Sequence, residues 1–148
     1  MPVAPDPNPY LKTKVMTAGP GELRLMLFDG ALKFSEQGRR GLVEKDYEAA
    51  FTGISRCQHI LAELVSSLDP KHAPDLCERL TGLYTFMITR LMTASHERDP
   101  AIVEEVIKLI QYERETWVML LDKLADEVAD SNAPPGTGLM GNRVSYQG

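Results

Sequence analysis

Three histidines, two cysteines and one misplaced carboxylate are the residues of this chain whose types could do chemistry. A helical carboxylate-bridged metal site needs Glu-x-x-His, which puts both ligands on one helix face. The residues three before His59, His72 and His96 are Arg56, Asp69 and Thr93, and Pro70 separates Asp69 from His72. No metal site is expected. A phosphotransfer histidine is the next possibility, and His59 should project outward on a face shared with Ser55, Glu63 and Ser66. It is followed by Ile60-Leu61-Ala62 rather than the Lys-Gly usual in such domains. Cys57 and Cys77 fall among apolar neighbours in helical patterns and read as reduced core residues. No Cys/His nucleophile pair, P-loop or dinucleotide glycine pattern occurs; Gly136-Thr137-Gly138 follows no strand. Glu113 falls on an apolar helix face between Leu109 and Trp117. It is expected where the helices splay, or paired with Arg90 or Arg114. Acid–base catalysis needs a second polar group and a cleft, so neither a catalytic residue nor a cofactor is expected.

The composition agrees with a packed domain that does not bind nucleic acid. Of 148 residues, 43% are hydrophobic and 25% charged, enough to enclose one core but not two. The net charge is −5 without a basic block, whereas phosphate binding requires clustered Lys and Arg. No run approaches the roughly 18–20 apolar residues that span a bilayer, which argues against membrane insertion. The opening MPVAPDPNPY lacks the basic and apolar regions of a secretory signal. A cytosolic protein is expected.

The elements that must position these residues are helices. Nothing alternates with period two for long enough to make a strand. Residues 1–9 carry four prolines, which favour extended backbone; residues 10–18 read as extended or as a short helix. A first helix should start at Gly19-Pro20-Gly21-Glu22, with proline at its first position. A second should run from Asp46 as N-cap to about Leu68, and a third from Pro74 to about Ser95. A fourth should run from Asp99-Pro100 to about Val128. Short connections between long helices favour an antiparallel up-down bundle. The expected organisation is all-α: an N-terminal capping segment over 1–18, a four-helix bundle over 19–129, and a disordered tail over 130–148, rich in Gly, Pro, Ser and Asn.

Placing residues at about 100° intervals gives each helix a core stripe. The first helix offers Leu23, Leu27, Ala31 and Phe34. The second offers Tyr47, Ala50, Ile54, Cys57, Leu61, Leu64 and Leu68, and the third Leu76, Leu80, Leu83, Met87 and Leu91. The fourth offers Ile102, Val106, Leu109, Trp117, Leu120 and Leu124. Gly30 and Gly38 should face the core and admit a neighbouring helix closely. Two apolar rows are left over: Leu25, Phe28 and Leu32 on the first helix, and Tyr84, Ile88 and Met92 beside Cys77 on the third. A bundle helix needs only one apolar face, so these rows should be covered by another part of the chain, by self-association, or by a partner's amphipathic segment.

The run Val15-Met16-Thr17-Ala18-Gly19-Pro20-Gly21-Glu22-Leu23, followed by Met26-Leu27-Phe28-Asp29-Gly30-Ala31, resembles the flagellin-specific export chaperones of the FliS family. Those typically read V-x-T-A-S-P-E-E-L and then M-L-Y-D-G-A. The likeness extends through Ile60–Leu64, Ser67-Leu68-Asp69, Leu83-Tyr84-x-Phe86-Met87 and Arg114-x-x-Trp117, with Tyr10 matching an aromatic before the first motif. Gly19, Gly21 and Phe28 depart from the pattern, as does Ser95-His96 where Ala-Asn is common. The resemblance implies a cytosolic chaperone that binds the unstructured C-terminal segment of flagellin, prevents premature polymerisation and assists delivery to the flagellar export gate. It also implies that the N-terminal segment lies over the bundle and competes with the client, with Tyr10, Leu11 and Val15 as anchors. The expected contact set is those three with Leu25, Phe28, Leu32, Tyr84, Ile88 and Met92. A signalling or adaptor bundle that binds another amphipathic helix is the alternative, and it leaves the first motif unexplained.

Overall fold

A computed structural model describes residues 19–131, which form four α-helices: α1 Pro20–Glu44, α2 Tyr47–Ser66, α3 Pro74–Glu97 and α4 Pro100–Ser131. Local chemistry sets their ends. Proline occupies the start of α1, α3 and α4, where its missing N–H costs nothing. The Asp46 carboxylate accepts from the Ala49 amide at 3.2 Å and caps α2. Asp99 accepts from the Ala101 amide at 2.9 Å at the start of α4. α1 and α3 stop at non-glycine residues in the left-handed region, Lys45 (φ 60°) and Arg98 (φ 55°). After Lys45 the Asp46 amide returns to the Gly41 carbonyl at 2.8 Å, and after Arg98 the Asp99 amide returns to Ala94 at 3.0 Å. The expected capping segment 1–18 and residues 132–148 of the expected tail 130–148 lie outside the described residues; α4 continues past Val128 to Ser131, so residues 130 and 131 are helical.

The chain divides into two compact units after Glu115. The first contains α1, α2, α3 and the first turns of α4, arranged as an antiparallel up-down bundle. Along α1 and α2, Gly30 faces Ile60, Gly38 faces Ile54 and Gly41 faces Ala50, so the two run in opposite directions. The Gln58 amide of α2 donates to the Ile88 carbonyl of α3 at 3.0 Å. Arg90 of α3 pairs with Glu105 of α4 at 3.0 Å, and α4 returns along α1 through Arg39–Glu104 and Arg114–Asp29. Backbones come closest between α1 and α2 and between α2 and α3. The core holds Phe28, Ala31 and Leu42 of α1 and Ile54, Cys57, Leu61 and Leu64 of α2. α3 adds Tyr84, Met87 and Leu91, and α4 adds Val103, Val106 and Ile110.

The glycines explain how α1 is turned. A Cβ on Gly41 would lie 2.5 Å from the Ala50 nitrogen, and one on Gly53 would lie 2.6 Å from the Phe34 carbonyl and from the Gly38 nitrogen. Backbone meets backbone there, so the small face of α1 must face α2. That rotation puts Phe28, Ala31, Ser35, Gly38 and Leu42 inside and corrects the expected stripe: Leu23 is exposed, and Leu27 and Phe34 are only half-buried. Gly38 faces the core as expected, and Cys57 is fully buried beside Ser35, whose hydroxyl donates to the Leu32 carbonyl. Burial pushes the Cys57 thiol up to about 12 despite its hydrogen bond with Ser35. Cys77 is half-buried. In the second unit, Leu120 and Leu124, expected as core, are exposed.

Candidate binding surface

The two left-over rows do not form one surface. Phe28 and Tyr84, expected in uncovered rows, are 2% and 1% exposed. The rotation of α1 turns Phe28 inward, and Tyr84 of α3 packs against it. Their rings meet edge-on at 6.5 Å inside the bundle. Leu25 and Leu32 are half-buried. They flank Asp29 on the face of α1 that pairs with Arg114 of α4. Ile88 is half-buried and Met92 exposed, and both lie on the side of α3 that meets α2. One row therefore borders α4 and the other borders α2. Tyr10, Leu11 and Val15 lie outside the described residues.

Of the second row, Met92 lines an open groove of about 260 Å³ between α2 and α3, together with Phe51, Ile54, Ser55, Gln58, Ser95 and His96. Its wall carries no Lys, Arg, Asp or Glu. Phe51 and Met92 stand on its two rims with 65% and 61% of their surface exposed. Leaving two large apolar side chains mostly in water forgoes much of a burial worth about 1.5–3 kcal/mol each. Phe51 was not among the expected contacts. Its signal was present, since it stands one position off the α2 stripe that Ala50, Ile54 and Cys57 define.

Where the four helices meet beside Phe28 and Tyr84, the structure assembles a polar cluster. Arg24 of α1 donates to Ser67 Oγ at 2.7 Å and to the Leu64 carbonyl at 3.4 Å, both at the C-terminal end of α2. There its positive charge also suits the negative helix end. A second guanidinium nitrogen donates to the Tyr84 hydroxyl of α3 at 3.1 Å. The guanidinium carbon lies 5.8 Å from both the Phe28 and Tyr84 ring centroids. Glu113 of α4 completes the cluster, with the Tyr84 hydroxyl as its hydrogen-bond partner and the Arg24 charge nearby. Its partner is thus neither Arg90, which binds Glu105, nor Arg114, which binds Asp29. Desolvation holds the Glu113 carboxyl above the ordinary carboxylate value, outweighing the opposing pulls of Tyr84 and Arg24. Burial likewise raises the Tyr84 phenol, against the Arg24 charge that favours its ionised form. The cluster ties the helices together. Among the described residues, no group of three His, Cys, Asp or Glu side chains is placed to hold a metal ion, and no helix is long and apolar enough to cross a membrane.

Comparison with known proteins agrees over most of the chain. The family model described as flagellar protein FliS matches residues 4–124. The flagellar secretion chaperone FliS of Bacillus subtilis is 31% identical over 113 residues, which span 74% of this chain and 84% of that one. Its counterpart from Salmonella typhimurium is 32% identical over 114 residues, 76% of this chain and 84% of the relative. The flagellar secretion chaperone FliSB of Pseudomonas aeruginosa is 26% identical over 107 residues, covering 72% and 85%.

Proposed function

The chain belongs to the FliS family of flagellar proteins, and from that premise we propose that it is a cytosolic secretion chaperone that holds the C-terminal segment of flagellin. The family is one of chaperones, not enzymes. In this reading the protein keeps flagellin from polymerising early and delivers it to the export gate. The observation that carries the reading is the α2/α3 groove, lined by no Lys, Arg, Asp or Glu, with Phe51 and Met92 exposed on its rims.

The second apolar strip supports a long, unstructured client. Leu25 and Leu32 border α4, whereas Ile88 and Met92 border α2. A single short helix lies in one groove at a time, but a disordered segment can run from one to the other. It orders as it binds, and that entropic cost keeps the complex releasable without ATP. Tyr10, Leu11 and Val15 would compete for the same strips from the N-terminal segment.

The test is calorimetric titration of the full-length protein with a flagellin C-terminal peptide, repeated with the Phe51→Glu/Met92→Glu double variant. Both side chains are exposed, so the variant should keep its helicity. Binding at micromolar or tighter affinity is expected, weakened at least tenfold, about 1.4 kcal/mol, by the two charges. With residues 1–18 deleted, binding should stay equal or tighten. A folded wild-type protein that does not take up the peptide would rule out the chaperone reading.

A further inference from the structure

Phe28 and Tyr84 form an apolar pair that is closed in the free bundle, and what lies over it is a cation. The Arg24 guanidinium sits 5.8 Å above both ring centroids while its own side chain is only half-buried. It lies against two rings that are almost fully buried. Among the described residues it is held by Ser67 Oγ, the Leu64 carbonyl, the Tyr84 hydroxyl and the field of Glu113. They come from α2, α3 and α4, so a single side chain of α1 is fastened to all three other helices. Ser67 is exposed and Glu113 half-buried, so water can take the guanidinium's place at both, whereas Tyr84 and Leu64 are buried. The rings beneath have no such substitute except another apolar group.

We propose that Arg24 is a latch over an apolar pocket made by Phe28 and Tyr84, closed in the free chaperone and opened when the guanidinium swings into solvent and a client side chain takes its place. The proposal rests on the chaperone reading and adds its regulation. It makes Phe28 and Tyr84 contact residues of the loaded state alone. Arginine suits such a latch because its planar group stacks on aromatic faces and is only weakly hydrated, so it covers the rings at a small desolvation cost.

The test uses the full-length protein carrying Arg24→Ala, with Ser67→Ala as a second variant that removes the 2.7 Å anchor but keeps the arginine. Without client, both should keep wild-type helicity by circular dichroism. Binding of an environment-sensitive apolar dye should rise several-fold in Arg24→Ala and by less in Ser67→Ala. With the flagellin C-terminal peptide, Arg24→Ala should bind more tightly than wild type, by several-fold. Unchanged dye uptake in folded Arg24→Ala overturns the latch, as does equal or weaker peptide affinity. Should Arg24→Ala fail to fold, Ser67→Ala decides alone: no rise in dye uptake overturns the proposal. A wild-type protein that ignores the peptide refutes the client assignment instead, and the dye measurement still judges the latch.

Discussion

Glu113 shows how one residue resists reading from sequence. Its position on an apolar helix face was evident, but its partners come from α1 and α3, far along the chain, and only the packed bundle names them. The consequence for stability has a definite sign. Its folded-state pKa lies above the ordinary value because desolvation outweighs the help of Tyr84 and Arg24. The folded protein therefore holds the Glu113 proton more tightly than the unfolded chain does. The stabilisation linked to that proton is fully present below the ordinary carboxylate pKa of about 4.5 and is lost as pH rises through the folded value. Glu113→Gln, which mimics the protonated form and can still accept from Tyr84, should be more stable than wild type at pH 7. The gap should close as pH falls towards 4.5. Urea denaturation of both proteins across that range measures it, and a variant less stable than wild type at pH 7 would mean that the attraction to Arg24 exceeds the desolvation cost.

At the scale of elements, helix ends were legible and helix rotation was not. Pro20, Asp46, Pro74 and the Asp99-Pro100 pair mark helix starts through contacts within a few residues, so local sequence suffices. α1 is different, because Leu23, Leu25, Met26, Leu27, Phe28 and Leu32 spread apolar side chains nearly all round it. With the hydrophobic signal that degenerate, the face was decided by residues that carry little of it: Gly38, Gly41 and Gly53, where α1 and α2 touch backbone to backbone. That is why Phe28 read as an outer residue and is in fact core. The glycines make a paired prediction. Gly41→Ala should destabilise the protein by about 2 kcal/mol, since overpacking costs about 1–3 kcal/mol and here the obstacle is the Ala50 backbone. Gly82→Ala, on the exposed side of α3 with nothing within 4 Å of the added carbon, should stabilise by about 1 kcal/mol through helix propensity alone. Thermal melts of the two variants separate a packing glycine from an idle one, and a stabilising Gly41→Ala would show that the helices separate at little cost.

Over the whole bundle, attachment is uneven, and the unevenness falls where a chaperone needs it. α1 and α2 are locked by backbone contact that cannot be compressed, and α2 and α3 also approach closely. α4 joins them through the side chains of Ile102, Val103, Val106 and Ile110 and through ion pairs such as Arg39–Glu104 and Arg90–Glu105. Those pairs are exposed on the Glu side, and exposed pairs contribute about 0–1 kcal/mol each. A helix held by side chains can lift while the rest of the fold stays intact, because local openings follow the density of buried contacts. Such a movement would widen the strip lined by Leu25 and Leu32 and free the Glu113 end of the Arg24 cluster. Native-state hydrogen exchange should then rank the helices. Amides of α4 between Val106 and Ile110 should exchange at least tenfold faster than those of α2 between Cys57 and Leu61, an opening easier by about 1.4 kcal/mol. Raised salt should widen the gap, since it screens the pairs that hold α4 and leaves the glycine contacts untouched. Equal protection in the two helices would mean that the bundle opens only as a unit, and client binding would then have to proceed on a fixed surface.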